Sequence, residues 1–336
     1  MKILFYDIRK IEFEYLTQNM PSFLEPYFIN YPLNETTYID EKMIDCEALS
    51  VFVSSTLNKD VLKKFKNLKY IFLRSAGYSN VDLAYCKNNN ILIFNAPQYG
   101  PSSVAEYAFS LILNLSKRID ESKNALLSGE IDANNLIGIE LKNKTIGIIG
   151  LGSIGRKILN IAHGFNMEVL AYDIEQKGAY NYVELDELLE KSDFITINCP
   201  LTPQTKHLIN KDSFSKMKKS AILVNVARGE IVDTKELYLA LINKKIKGAA
   251  LDVIECEEIL CNSYLKCEKY KNIKISCLKK YLFIQKLLKL PNVIITPHNA
   301  YNTYEANVRI LKTTLFNIKQ ILNNELNSGV KNLVLL

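Results

Sequence analysis

At 336 residues the chain has the length of roughly two domains. Its hydrophobic content of 48% and charged content of 23% are those of an ordinary soluble globular protein. The net charge of +6 comes from lysines dispersed along the whole chain beside only six arginines, which reads as a solvated surface and argues against the clustered stripe that nucleic acid requires.

The N-terminal apolar run, Ile3 to Tyr6, is broken at Asp7 and is too short for the core of a signal peptide. No segment approaches the ~18 apolar residues of a membrane span. The expectation is a cytoplasmic protein without a membrane partner. Short runs rich in Ile, Val, Leu and aromatics then follow one another: "KILFYD", "LSVFV", "KYIFL", "ILIF", "TIGIIG", "MEVLAYD", "DFITINC", "AILVNV", "GAALDV" and "NVIITP". They read as strands buried on both faces. Between them, segments such as "SIGRKILNIAHGF" and "DTKELYLALINKKI" repeat apolar residues at three- and four-residue steps, as amphipathic helices do. The alternation predicts βαβ units, parallel sheets and an α/β fold.

A boundary is expected near "NAPQYGPSSVAEYAFSLILNL", where two prolines and a glycine interrupt the pattern before a helix capped by Ser102 or Ser103, with Glu106 in its first turn. The lysine-rich stretch 266–289 reads as an irregular excursion ending in an amphipathic helix, with nucleic-acid binding as the alternative. Seven cysteines, an odd number without a secretion signal, argue for reduced thiols. Cys256, Cys261, Cys267 and Cys277 lie close together but contain no C-x2-C pair, so no metal site is expected. A regulatory metal or redox role for this group is a rival reading.

The most informative stretch is "KTIGIIGLGSIGRKILNIAHGFNMEVLAYD", residues 144–173. It reads strand, Gly150-Leu151-Gly152-Ser153-Ile154-Gly155, helix, strand, Asp173. In this spacing Gly150 permits the tight turn, Gly152 lets backbone approach a pyrophosphate, and Gly155 lets helix and strand pack closely. The phosphates then lie at a helix N-terminus, where unpaired N–H groups favour anions. Asp173 stands where a carboxylate bonds the ribose hydroxyls, and it repels a 2′-phosphate. The expected cofactor is NAD.

With that fingerprint in place, "NCPLTPQTKHLIN", "ILVNVARGEIVD", "AALDVIECEE" and "NVIITPHNAY" follow in order, after "RSAGYSNVDL" and "NAPQYGPSSVAEYA" in the first third. Together these resemble the D-isomer-specific 2-hydroxyacid dehydrogenases over nearly the whole chain, and within that family the D-lactate dehydrogenases, including the vancomycin-resistance type. The resemblance implies two doubly wound domains, flavodoxin-like or Rossmann-like, with an active-site cleft between them. Residues 1–100 and 301–336 would form a discontinuous substrate domain and 101–300 the NAD domain. A homodimer held largely through the NAD domain is also implied.

By motif position the resemblance makes Arg228, Glu257 and His298 catalytic. Glu257 is chosen over Glu255 and Glu258 by its distance from Asp252. Cofactor contacts would come from Gly150, Gly152, Ser153, Ile154, Gly155 and Asp173, from Cys199 and Pro200 on the adenine side, from Val104, Val226 and Ala227, and from Asp252 toward the nicotinamide carboxamide. Ala76 and Gly77 would offer N–H groups to the substrate carboxylate, with Tyr99 and Tyr301 shaping the pocket and Arg228 gripping the carboxylate. Asn166 stands where relatives have glycine, and asparagine tolerates the left-handed backbone better than other side chains.

The chemistry suits these residue types. Reduction of a 2-keto acid needs a proton donor, which histidine provides near neutral pH. It needs a partner that orients the ring, which a carboxylate provides. It also needs a grip on the substrate carboxylate, for which the planar guanidinium fork is better shaped than an ammonium. Cys199, closing an apolar strand, is expected to be inert; His163 and His207 have structural explanations. The expected activity is reduction of pyruvate to D-lactate by NADH. The alternatives are another 2-keto acid, such as a branched-chain acid or hydroxypyruvate, or an NAD-sensing, protein-binding corepressor-like relative. Phosphoglycerate is less attractive, because Arg74 is the one extra arginine near the substrate loop.

Overall fold

The computed structural model describes residues 1–257, 275–323 and 330–334. The chain divides into two compact units, one of Met1–Tyr99 with Asn302–Leu336 and the other of Gly100–Tyr301.

The first unit contains β1 (Lys2–Phe5), α1 (Lys10–Asn19), β2 (Glu25–Phe28), β3 (Ala48–Val51), α2 (Lys59–Leu62), β4 (Tyr70–Leu73), α3 (Leu83–Asn88) and β5 (Leu92–Phe94). From the end of the chain it takes α11 (Tyr304–Leu322). The strands are parallel in the order β2-β1-β3-β4-β5, the flavodoxin-like arrangement. Alternate residues feed opposite faces, as the pleat requires. Ile3, Phe5, Phe72 and Phe94 pack with Leu311, Leu315, Ile318 and Ile321 of α11. Leu4, Leu49, Ile71 and Ile93 pack with Val61, Leu62 and Cys86 on the other side. Each buried aliphatic side chain of α11 contributes about 1.5–3 kcal/mol, enough together to hold the C-terminal helix on the N-terminal sheet. Strand β2 escapes the apolar pattern: it is a four-residue edge strand, "EPYF", and Pro26 is tolerated only because it lies at the edge.

Arg74 corrects a sequence expectation. It is fully buried, with Nε donating to Glu12 Oε1 at 3.2 Å, Nη1 to Ser50 Oγ at 3.1 Å and Nη2 to the carbonyl oxygen of Tyr6 at 2.5 Å. Burial pulls its pKa down, and the carboxylates of Glu12 and Asp7 oppose that pull. A guanidinium committed in this way is a structural tie inside the sheet and is unavailable to a phosphate.

The second unit runs α4 (Pro101–Lys117), α5 (Ile119–Ser128), β6 (Thr145–Ile149), α6 (Ser153–Gly164), β7 (Glu168–Tyr172), α7 (Leu185–Lys191), β8 (Phe194–Ile197), α8 (Lys211–Lys216), β9 (Ile222–Asn225), α9 (Thr234–Ile242), β10 (Gly248–Leu251), α10 (Ile275–Leu287) and β11 (Val293–Ile295). Its parallel strands lie in the order β11-β10-β9-β8-β6-β7. The order reverses between β6 and β8, which is where doubly wound sheets open a crevice at the strands' carboxyl ends. Ala105, Ala108, Ile112, Ile158 and Ala162 cover one face; Leu188, Phe214, Leu237, Ile284 and Leu287 cover the other.

Helix α4 starts two or three residues earlier than the sequence suggested. Its N-cap is Gly100 and Pro101 is its first residue, so Ser102 and Ser103 lie inside the helix rather than capping it. Proline at the first position has no N–H to lose and a φ already set for a helix. Asn166 does adopt positive φ, at 54°. The C-terminal end of the 266–289 excursion is α10, whereas 266–274 lies outside the described residues. Among the described residues no helix is long and apolar enough to cross a membrane.

The expectation of reduced thiols fails for one pair. Cys256 and Cys277 form a disulfide, 21 positions apart in sequence but with Cα atoms 5.7 Å apart because α10 folds back on the end of β10. Nothing in the spacing announces that return. Cys46, Cys86 and Cys199 are free; Cys261 and Cys267 lie outside the described residues. Among the described residues no group of three metal-ligating side chains is assembled.

Candidate active site

The glycine loop joins β6 to α6 at the switch point. Gly150 has φ 90°, and a Cβ there would come within 2.6 Å of the Cys199 nitrogen. A Cβ on Gly155 would come within 2.2 Å of the Gly150 oxygen, so the helix can approach the strand only without one. At Gly152, by contrast, a Cβ would meet nothing within 4 Å. Two glycines are thus needed by the protein itself, while the third borders open space where α6 begins. Ser153 and Ile154 open that helix, whose first N–H groups lack helical partners. Asp173 ends β7, and its Oδ2 accepts the Leu151 N–H at 2.7 Å, which ties the acid to the loop. This is a cradle that fits a dinucleotide's pyrophosphate and ribose.

Cys199 and Pro200 follow β8. Burial pushes the Cys199 thiol up to about 11, which leaves it protonated and inert as a nucleophile near neutral pH. Val226 and Ala227 are buried just past β9, and Val104 is half-buried on α4.

Arg228, Glu257 and His298 follow the carboxyl ends of three adjacent strands, β9, β10 and β11. Their loops are wired together. The backbone of Gly229 lies so close to that of Ile254 that a Cβ would sit 2.0 Å from the Ile254 carbonyl carbon. Asn225, fully buried, donates from Nδ2 to the Arg228 oxygen at 2.9 Å and accepts the Ala227 N–H at 3.0 Å. Arg228 is exposed; its Nη1 donates to the Ala227 oxygen at 2.6 Å, and among the described residues it has no carboxylate partner.

Asp252, 1% exposed, organises the histidine loop. Its Oδ1 accepts from Thr296 Oγ1 at 2.6 Å and the Asn299 N–H at 2.8 Å, its Oδ2 accepts the Ala300 N–H at 2.8 Å, and its backbone oxygen accepts the His298 N–H at 2.8 Å. These bonds hold His298 at a φ of 51°, a backbone that a non-glycine residue keeps only when its surroundings impose it. The His298 Nδ1 lies 2.9 Å from Glu257 Oε1, and its Nε2 has no protein partner among the described residues. Asn225 and Thr296 are the positions that sequence reasoning passed over. A polar residue inside each apolar run, Asn225 fully buried in "ILVNV" and Thr296 half-buried in "IITPH", was the available signal.

Glu255 takes a different role from Glu257. It is 1% exposed, accepts from Lys280 and from the Thr234 N–H at 3.0 Å, and lies 2.8 Å from His207 Nε2. Burial works to raise its pKa, but the hydrogen bonds from Lys280, His207 and Thr234 outweigh burial and hold the carboxyl below its usual range. Glu258 lies outside the described residues. His163 is exposed on α6.

Ala76 and Gly77 belong to the first unit, in the loop after β4. Their carbonyls accept from Asn95 Nδ2 and Ser75 Oγ, and their N–H groups have no partner among the described residues. Tyr99 is also in the first unit, where its carbonyl accepts from Arg309 Nε at 2.6 Å; Tyr301 belongs to the second, against Gly100.

Comparison with known proteins follows the same lines. Residues 109–300 match the profile described as "D-isomer specific 2-hydroxyacid dehydrogenase, NAD binding domain". D-lactate dehydrogenase kk1H of Curvularia clavata is 34% identical over 95% of this chain and 91% of its own. An aromatic 2-oxoacid reductase of Clostridium sporogenes is 33% identical over 99% of this chain and 98% of its own. The crystal structure of D-lactate dehydrogenase from Aquifex aeolicus, complexed with NAD and lactic acid, matches with a TM-score of 0.84 and 34% identity, covering 99% of this chain and 98% of that one.

NAD is therefore the cofactor. Replacing Asp173 by alanine is expected to narrow the preference for NADH over NADPH at least about tenfold, because the carboxylate that repels a 2′-phosphate is gone. Steady-state kinetics with both cofactors measures this; an unchanged preference would remove Asp173 from cofactor choice.

Proposed function

We propose, for a chain that belongs to the D-isomer-specific 2-hydroxyacid dehydrogenases, that it reduces pyruvate to D-lactate with His298 as the acid/base. Membership of that family makes it an NAD-dependent oxidoreductase. The observation that carries the finer reading is the His298–Glu257 contact, with Nε2 left over on the ring. Bound at the glycine loop, NAD would supply or take the hydride. Glu257 accepts a hydrogen bond from Nδ1–H and so fixes the ring's orientation and tautomer. The protonated Nε2 gives its proton to the carbonyl oxygen of the keto acid; in the reverse direction neutral Nε2 takes the hydroxyl proton. Arg228, with no carboxylate partner among the described residues, binds the substrate carboxylate through its fork and polarises the ketone. In the first unit, the N–H groups of Ala76 and Gly77 are the candidates to bind a carboxylate.

The test is loss of NADH absorbance with purified protein and a panel of 2-keto acids: pyruvate, a branched-chain acid, hydroxypyruvate and phenylpyruvate. Fastest turnover of pyruvate supports the reading. Preference for phenylpyruvate would move the chain toward its aromatic-acid relatives and keep the mechanism. NADH binding without any turnover would favour an NAD-sensing binder.

A homodimer is proposed as well. Ile119, Leu126, Leu127, Ile131 and Ile137 are all exposed on and after α5, a concentration of apolar surface that a monomer rarely leaves bare. Light scattering is expected to give twice the 38.3 kDa of the chain, and Leu126→Lys with Leu127→Lys to give the monomer mass. A monomeric parent protein would contradict this.

A further inference from the structure

Residues 255, 256 and 257 are each tied to something different. Glu255 turns inward to Lys280, His207 and the Thr234 N–H. Cys256 is bonded to Cys277. Glu257 meets His298. The middle residue has φ 56°, the left-handed region, where an L side chain persists only if its surroundings impose it. What imposes it is visible on both sides. Gly229 presses on the backbone at Ile254, and two ties come from α10.

Cys277 and Lys280 are three residues apart and therefore share one face of α10. The same helix is anchored further along. Ile284 and Leu287 are fully buried, the Phe283 ring lies 5.7 Å from that of Tyr238 on α9, and Lys286 stands over both rings at 5.4 Å. Helix α10, anchored by these contacts, thus grips the chain at the two residues preceding Glu257.

We infer that Cys277 and Lys280 are positioning residues for the reaction: through the Cys256–Cys277 disulfide and the Lys280–Glu255 ion pair, α10 fixes the backbone from which Glu257 orients His298. The inference rests on the acid/base role proposed for His298. It makes turnover responsive to thiols. A dithiol passes two electrons and two protons to the Cys256–Cys277 bond, which opens to two thiols while the reagent closes to its own cyclic disulfide. One of the two ties on the residues preceding Glu257 is then gone, and misplacement of a catalytic group by even an ångström lowers the rate steeply.

The experiment compares the oxidised protein, its linkage checked by mass spectrometry of unreduced peptides, with dithiothreitol-treated protein, Cys277→Ser, Lys280→Met and Lys280→Arg. Reduction is expected to lower kcat about tenfold, displace the pH–rate profile and leave KM for NADH unchanged, with recovery on reoxidation. Cys277→Ser should match the reduced protein and ignore dithiothreitol; Lys280→Met should also lose kcat, and Lys280→Arg should retain it. Two outcomes overturn the inference: Cys256 and Cys277 remaining thiols under oxidising conditions, or reduction that lowers Tm while kcat and the pH profile stay put. His298→Gln in the oxidised protein separates the two readings. If it abolishes turnover while reduction does nothing, the clamp alone is wrong; if it retains turnover, the acid/base role falls and the clamp with it.

Discussion

Replacing His298 by glutamine is expected to lower kcat for pyruvate reduction by about 10²–10⁴-fold, the range that a positioned acid/base supplies. Glutamine keeps a polar side chain of similar reach but cannot hand over a proton. The glycine loop and Asp173 are untouched, so NADH affinity, followed by fluorescence titration, should hold. The Asp252 network bonds the loop through backbone N–H groups of residues 298, 299 and 300, so the variant should keep its fold. A Glu257→Gln variant should lie between wild type and His298→Gln, since it retains an acceptor for Nδ1–H but loses the charge. Equal kcat for His298→Gln and wild type would remove the histidine from the chemistry.

Replacing Arg228 by leucine is expected to lower kcat/KM for pyruvate by about a hundredfold or more, the cost of removing one side of a charged, hydrogen-bonded pair. An arginine just past a strand can instead serve as an ion pair that pins the strand end, here that of β9. With no carboxylate partner among the described residues and its guanidinium exposed, Arg228 is not serving that role. Stability in urea should therefore change little, while substrate affinity and rate collapse together. Arg228→Lys should recover only part of the loss, because an ammonium cannot reproduce the fork. A large loss of stability with kcat/KM intact would reverse the assignment.

Much of this arrangement was legible in the sequence because it depends on local rules. Strands buried on both faces announce themselves as apolar runs, and ten such runs correspond to strands of the two sheets. The glycine loop is legible because its spacing is dictated by backbone contacts, as the close approaches at Gly150 and Gly155 bear out. What escaped depends on long-range return or on a broken local pattern. Strand β2 pairs at an edge, where a proline and polar residues are tolerated, so it carries no apolar signature. Arg74 looked like a spare cation beside a loop, and only the fold reveals that Glu12, from a helix 62 positions away, meets it inside the sheet. The disulfide and the Glu255–Lys280 pair depend on α10 returning to the end of β10 across residues that bear no spacing rule. Three glutamates within four positions were indistinguishable by type; burial separates Glu255, with its lysine and histidine, from Glu257, which reaches the catalytic candidate.

The proposed reaction moves a hydride and a proton onto a small 2-keto acid to give the D-hydroxy acid. Its most direct test is chiral chromatography of the product formed from pyruvate and NADH by the wild-type protein, with His298→Gln run beside it. D-lactate alone, in amounts equal to the NADH consumed and absent with the variant, is the predicted result. L-lactate, a racemic mixture, or equal product from the variant would contradict it.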